Sequence, residues 1–376
     1  MTNFENSNPH DSAYVSPLAA WPGAALPQGD DDLPEYAGVA WHYGAPLNEQ
    51  RVFDTGVGLI DLSHRRVIKV HGPEAGVFLN NLLSQKLSDA PQCLAEKKTA
   101  TSALDLDIQG HILHQVDILA GLDSEDALYL HLPQVQYETF FAFLTRMIFW
   151  SKVEVEPANL AVITLMGAGV PDFPLPSSDA IVATAQVPGF TTHRLDILVH
   201  SPELMNIATL LSDAGAVPTG LMAFTAERVR SQQPVLSLDL DDKSIPHEAP
   251  RLISDAVHLN KGCYRGQETV ARVENLGRPP RSLVIVLLDG SAPTTPKPGD
   301  PIVSGGRTVG KLGTVVQDYE LGPVALATIK RSALNSSSLV VAEDVALAID
   351  PDSLPKEDDE KAGRKAINRL KGLSTD

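Results

Sequence analysis

Cysteine is scarce in this sequence, with only Cys93 and Cys263 among 376 residues. That argues against a secreted framework stapled by disulfides. Two thiolates also fall short of the four that common iron–sulfur clusters and Cys-only structural zinc sites use. Long apolar runs are missing too: the longest, Leu160 to Met166 and Leu283 to Leu288, are far below the roughly 20 residues a spanning helix needs. No membrane partner is expected. Basic residues are outnumbered 30 to 47, for a net charge of −17, which repels phosphate backbones at long range and argues against non-specific nucleic-acid binding. The first residues carry Glu5, Asp11 and Asp30-Asp31-Asp32 with no early basic residue and no apolar signal core, so the expected location is cytoplasmic.

Several chemistry-bearing motifs are absent as well. There is no phosphate-cradling Gly-rich loop with Lys-Ser/Thr, no dinucleotide fingerprint and no Gly-x-Ser-x-Gly elbow, which speaks against nucleotide hydrolysis and serine-hydrolase chemistry. Eleven histidines raise a metal question, but no His/Cys/carboxylate spacing matches a metal site, and His111 and His114 are three apart on a predicted strand and so face opposite sides. The Asp239, Asp241 and Asp242 group lacks the glycine and terminal glutamate of a calcium loop and reads as a surface turn. No metal is expected.

What remains is ordinary globular material, 43% hydrophobic and 20% charged, long enough for two or three units. Residues 1–36, rich in Pro, Asp, Ser and Asn, read as a flexible N-terminal arm. Residues 351–376 read as a solvated charged tail. Between them strand and helix patterns alternate. Arg66 to His71 reads as a strand, followed by a helix from Pro73. Thr99 to Leu106 and Ile112 to Ala120 read as a hairpin around Gln109-Gly110. Ala127 to Leu132 is a strand leading through Pro133 into a helix with a stripe of Phe140, Phe141, Leu144, Met147 and Ile148 that reads as core packing. Strands at Leu160 to Met166 and His193 to His200 and a helix from Pro202 to Gly215 repeat the order in outline. The expectation is α+β, in two units of about 37–155 and 156–280. Residues 281–350, with strands at Leu283–Leu288, Pro301–Val303, Thr308–Lys311, Gly313–Val316, Val324–Ile329 and Val340–Ala348, read as a small antiparallel β-barrel.

The strongest local anomaly is Lys261-Gly262-Cys263-Tyr264-Arg265-Gly266-Gln267-Glu268. Gly262 and Gly266 permit unusual backbone angles or close approach. In an extended segment Lys261 and Arg265, at −2 and +2, share a face with Cys263, and two cations there stabilise a thiolate. The competing reading makes Cys263 a small buried residue among solvated turn charges, and local chemistry alone does not choose between them.

This octet resembles the signature of the YgfZ family, folate-binding relatives of the glycine-cleavage T-protein. The resemblance extends over roughly Gly56 to Ile349, through Val57-Gly58-Leu59-Ile60-Asp61-Leu62-Ser63, Lys69-Val70-His71-Gly72-Pro73-Glu74-Ala75, Glu227-Arg228-Val229-Arg230, Lys243-Ser244-Ile245-Pro246-His247-Glu248 and Val309-Gly310-Lys311-Leu312-Gly313. It implies a T-protein-like ring of ferredoxin-like α+β domains around a central channel for a tetrahydrofolate derivative, plus the C-terminal barrel. It also implies a role in assembly or repair of iron–sulfur enzymes, including those that modify transfer RNA. Cys263 and Lys261 are then the reactive pair, and Tyr264, Arg265, Gly266, Gln267, Glu268 and Arg228 the cofactor-binding residues, with folate and iron–sulfur enzymes as partners.

Two departures stand out. The T-protein catalytic aspartate is matched by His114, which weighs against aminomethyl transfer, and Gly189 to Asp196 replaces the turn that carries the family's pteridine-binding glutamate. Arg230 reads as a complement to its helix dipole. The alternatives are a folate-dependent one-carbon transferase using His114 as proton acceptor, and a scaffold that has lost its ligand.

Overall fold

A computed structural model describes residues 14–122 and 126–355. Before the barrel the chain lays down ten strands: β1 (Gly58–Asp61), β2 (Arg66–His71), β3 (Thr101–Leu106), β4 (Ile112–Ala120), β5 (Ala127–Leu132), β6 (Glu154–Ala158), β7 (Leu160–Met166), β8 (Ile181–Gln186), β9 (Arg194–His200) and β10 (Val217–Pro218). The helices in the same stretch are α1 (Pro46–Thr55), α2 (Ala75–Leu82), α3 (Ala90–Lys97), α4 (Gln134–Arg146), α5 (Leu204–Asp213), α6 (Leu221–Arg230), α7 (Leu236–Asp239), α8 (Pro250–Ala256) and α9 (Gln267–Leu276).

The strands form two five-stranded sheets, ordered β3-β4-β5-β2-β6 and β10-β1-β7-β9-β8. They are not consecutive in sequence. β1 precedes the whole first sheet yet pairs antiparallel with β7, Leu59 opposite Leu165, and parallel with β10. The two inner faces share one apolar interior, in which Val67, Leu119 and Tyr129 of the first sheet meet Ile60, Val162 and Leu198 of the second, together with Trp41 and Phe224. On its outer face the first sheet packs against α2 and α4 through Phe78, Leu79, Phe140 and Leu144. Phe140 is fully buried there, and truncating such a ring costs about 3–5 kcal/mol. Of the expected stripe, Phe140 and Leu144 are core, while Phe141, Met147 and Ile148 are partly buried against it, the last two past the end of α4.

The N-terminal segment corrects the reading of a flexible arm from residue 14 onward. Leu18 is wholly buried against the second sheet and α5, the Ser16 hydroxyl donates to the Asp61 carboxylate, and Tyr36 enters the shared interior. Composition missed this because a few buried anchors order a segment whose average is polar. The reading of residues 351–376 as a solvated tail is likewise corrected at its start, where Ser353 is buried and accepts the Ile285 N–H and Leu354 packs on the barrel core; residues 1–13 and those beyond 355 lie outside the described residues.

Strands β11 (Arg281–Leu288), β12 (Pro301–Ser304), β13 (Arg307–Asp318), β14 (Gly322–Lys330), β15 (Leu339–Val341) and β16 (Val345–Ile349) close a six-stranded barrel in the order β11-β14-β13-β12-β15-β16. Three expected strands run a residue or two longer at their ends, and elsewhere the division into strands differs. Thr308–Lys311 and Gly313–Val316 are one strand whose register shifts between Leu312 and Val315, and Val340–Ala348 is a hairpin turned by Ala342 and Glu343 at positive φ. Among the described residues no helix is long and apolar enough to cross a membrane.

Candidate functional site

Between the inner faces of the two sheets lies a cavity that opens to solvent. Its charged wall is assembled from strands β4 and β9, the β1–β2 connection and helices α6 and α7. Arg65, Arg194 and Arg228 all line it, and each carries its own aspartate. Arg65 Nη2 lies 3.1 Å from Asp117. Arg194 forks onto Asp196 at 2.9 and 2.7 Å. Arg228 Nη1 lies 2.7 Å from Asp239. Burial pushes the Asp117 and Asp196 carboxyls up, but His131 with Arg65, and Arg194 with His131, outweigh it and hold both well below the usual range.

The rest of the wall combines aromatic faces, a few polar pairs and polar atoms without a partner. Phe190 and Phe224 sit 6.1 Å apart with the Arg194 guanidinium 5.0 and 5.2 Å from their ring centres, an arrangement that fixes both rings. Gln136 accepts the Gln115 N–H at 2.9 Å on Oε1, while its buried Nε2 has no partner. His64 Nδ1 is likewise buried without a partner, and burial, followed by the Arg65 charge, pulls this imidazole down to about 3, so it is neutral at ordinary pH. Asp255 lines the mouth, where its carboxylate accepts from Gln233 Nε2 at 2.9 Å. Gly189, at φ +93°, leaves room for it, since a Cβ there would stand 2.5 Å from Asp255 Oδ2.

The signature octet is elsewhere. Of the residues predicted for the site, Arg228 lines the cavity and the octet does not. Residues 259–266 form a turn-rich loop rather than an extended segment, so the expected common face of Lys261, Cys263 and Arg265 does not form. The Lys261 ammonium donates to the carbonyls of Asn80, Leu83 and Gln85, at and just past the C-terminal end of α2, where a cation offsets the helix dipole. Burial nonetheless pulls it down to about 8. Arg265 donates to the Leu106 carbonyl and lies 2.6 Å from Asp105, with its guanidinium 4.9 Å from the Phe143 ring centre. Both cations are thus committed away from the thiol, and Cys263 is exposed. Tyr264 is buried, its ring 4.8 Å from Lys261 Nζ, and burial pushes its phenol up to about 12. Gln267 and Glu268 open α9, Glu268 in the first turn.

The two glycines differ. Gly266 has φ +81°, and a Cβ on it would stand 2.7 Å from the Asp107 carbonyl and 3.0 Å from Gly110 Cα, so it locks the loop onto the β3–β4 turn. Gly262 has open space around its Cβ direction and needs no special backbone.

His114 does not stand as a carboxylate substitute in the cavity. Asp105 pairs with His114 and Ser102 with Asp117 across the β3–β4 ladder, and the strand alternation turns the first pair outward and the second inward. His114 is buried against α4, with Nδ1 2.8 Å from Asp105 Oδ2 and Nε2 2.9 Å from Thr139 Oγ1. Gln115 and Asp117 line the cavity instead. Asp239 is not a surface turn: it is 4% exposed and accepts from Arg228, Val235 N and Thr314 N. Arg230 does end α6, yet its guanidinium forks onto Asp318 of β13 at 2.6 Å twice, pinning the helix to the barrel. Among the described residues no cluster of three or more His, Cys, Asp or Glu is placed to hold a metal ion.

Sequence reasoning passed over His64, Arg65, Asp117, Gln136, Phe190, Arg194 and Phe224. One signal was available: Arg194 and Asp196 sit two apart inside the apolar run of β9, and Asp117 inside that of β4, where an unpaired charge is too costly to bury.

The geometry can be set beside known proteins. Residues 281–356 match the model of the CAF17 C-terminal beta-barrel domain. A chloroplastic protein of Arabidopsis thaliana named as a transferase is 25% identical over 326 residues, 78% of this chain and 70% of its own. The mitochondrial iron-sulfur cluster assembly factor IBA57 of Mus musculus is 26% identical over 285 residues, 68% of this chain and 77% of its own. The glycine cleavage system aminomethyltransferase T of Bartonella henselae superposes with a TM-score of 0.72 at 18% identity, over 88% of this chain and 94% of that one. The chain therefore has the fold of aminomethyltransferase T, completed by a C-terminal barrel of the CAF17 type.

Proposed function

We propose that this chain is a cytoplasmic, YgfZ-like accessory protein that binds a reduced folate in the central cavity and uses Cys263 in the assembly or repair of iron–sulfur enzymes, those that modify transfer RNA among them. The observation that carries the reading is the cavity itself, where the rigid Phe190 and Phe224 pair stands beside three unpartnered polar atoms, Gln136 Nε2, His64 Nδ1 and the Tyr36 hydroxyl. Such a wall fits a flat heterocycle with hydrogen-bonding edges. Phe190, Phe224, Gln136, His64 and Arg228 are the residues that would hold it. A bound reduced folate supplies one-carbon chemistry, while the chain's own residues enclose the ring and fix its orientation.

The iron–sulfur part rests on the CAF17-type barrel and on the relative named as an iron-sulfur cluster assembly factor, together with an exposed thiol that a protein partner can reach. The aminomethyl transferase reading has less support, because His114 faces α4 and Asp117 is committed to Arg65.

Calorimetric titration with 5-formyltetrahydrofolate should give saturable heat and a raised melting temperature, since a ligand of the folded state stabilises it. Absence of both at millimolar ligand would contradict folate binding and favour a scaffold. For the thiol, a Cys263→Ala protein should fail to restore iron–sulfur enzyme activity in a strain lacking this protein; full restoration would remove Cys263 from the account.

A further inference from the structure

We infer that the Gln136 side-chain amide is the donor that orients the cavity's ligand, and that the part of the ligand held inside is uncharged, flat and presents a carbonyl or ring-nitrogen acceptor. This rests on the folate reading and sharpens it: the pterin ring is held inside, and the anionic glutamate tail contributes little.

Three observations converge. First, the orientation of the amide is set by the chain. Gln115 N–H can only donate, so the atom of Gln136 that it meets at 2.9 Å is the oxygen. The nitrogen, with two N–H groups, is what remains. Second, that nitrogen is buried without a partner in a side chain only 6% exposed, and Gln136 lines the cavity. A buried donor left unpaired is costly, and an acceptor from a ligand relieves the cost. Third, the cavity makes no call for an anion. Its three guanidiniums are each already matched by an aspartate, His64 is neutral at ordinary pH, and Glu35 and Asp255 add carboxylates to the wall. A carboxylate tail gains nothing by entering, whereas an acceptor on a neutral ring gains Gln136.

The substitution that isolates this role is Gln136→Glu. It keeps an oxygen for Gln115 N–H and nearly the same shape, but replaces the donor with an acceptor when ionised. Calorimetry on the full chain with folic acid and with pteroic acid, which lacks the glutamate, separates ring from tail. Wild type should bind the two within about threefold of each other, as expected when a rim charge contributes little. Gln136→Glu should weaken both by at least about tenfold at pH 7.5, the loss of roughly one hydrogen bond together with repulsion of the acceptor. Its affinity should recover as pH falls towards 5 and the new carboxyl takes up a proton and donates, a recovery the wild type will not show. Circular dichroism and melting temperature establish that the variant is folded. Wild-type binding that Gln136→Glu leaves unchanged, or a loss confined to folic acid, overturns this assignment and leaves the folate reading standing. A wild type that binds neither compound overturns both.

Discussion

The central cavity and the signature loop use their polar groups in opposite ways. In the cavity the charges are spent on each other, as guanidinium–carboxylate pairs, and the groups left over are a neutral imidazole, an amide nitrogen, the Tyr36 hydroxyl and aromatic faces. In the loop the cations are spent on carbonyls of α2 and on Asp105, and the group left over is a thiol facing solvent. In both places most of the charged residues serve as structural fasteners. The chemistry is left to quieter neighbours. The β3–β4 hairpin joins the two places, presenting Ser102, Gln115 and Asp117 to the cavity on one face while Asp105 and His114 on the other hold Arg265.

The largest effect should come from breaking a cavity fastener. Arg194→Met takes the guanidinium from Asp196, which is fully buried and keeps only the Thr164 hydroxyl and His131, and removes the cation over Phe190 and Phe224. Unfolding free energy measured in urea should fall by about 3–5 kcal/mol, and ligand binding should be lost with it. A loss below about 1 kcal/mol would mean that the pair does not hold the wall.

On the loop side, Asp105→Asn removes the carboxylate shared by Arg265 and His114 and should cost less, about 2–3 kcal/mol, because Arg265 retains partial access to water. Amide exchange of residues 259–266 should rise while folate affinity stays within about threefold. A matching loss of affinity would show that the two places act as one.

The neutral His64 gives the cavity a pH signature. Its pKa falls from an unfolded value near 6.5 to about 3 in the folded chain, so below pH 6.5 the unfolded chain takes up a proton that the folded one refuses. Its contribution is complete above pH 6.5 and is lost as pH falls towards 3, by up to about 1.4 kcal/mol per unit. Denaturation between pH 4.5 and 6.5 should show that slope, and His64→Gln should flatten it; an unaltered slope in the variant would place its origin elsewhere.

A smaller contrast lies within the octet. Gly266→Ala drives a methyl into the Asp107 carbonyl at positive φ and should cost about 1–3 kcal/mol. Gly262→Ala meets open space and should stay within about 0.5 kcal/mol. Equal losses would mean that the loop is anchored otherwise than described.

How much of this was legible in the sequence follows from how local each cause is. Strands such as Arg66–His71, Ala127–Leu132 and Leu160–Met166 carry their own periodicity, and their bounds agree with the structure. Strand β8 also alternates buried and partly buried residues, but with small side chains that gave little contrast. The pairing of β1 with β7 was not legible, because it is decided by residues about a hundred positions away. The same holds for the site. The octet is conspicuous because its unusual residues are adjacent, yet what each does depends on α2 and the β3–β4 hairpin. The cavity draws single residues from many elements, and Gln136 looks like any polar residue at the start of a helix until Gln115 fixes its amide. His114 stands three residues from Asp117 on β4 and so takes the opposite face, which its position in the sequence did not reveal.

The most direct test is therefore the rate of Cys263 alkylation by iodoacetamide in a Cys93→Ser background, with and without saturating 5-formyltetrahydrofolate. If the cavity and the loop are separate places, the rate will be unchanged within about twofold, because the signature residues do not line the cavity. Strong protection of Cys263 by the folate would contradict that separation.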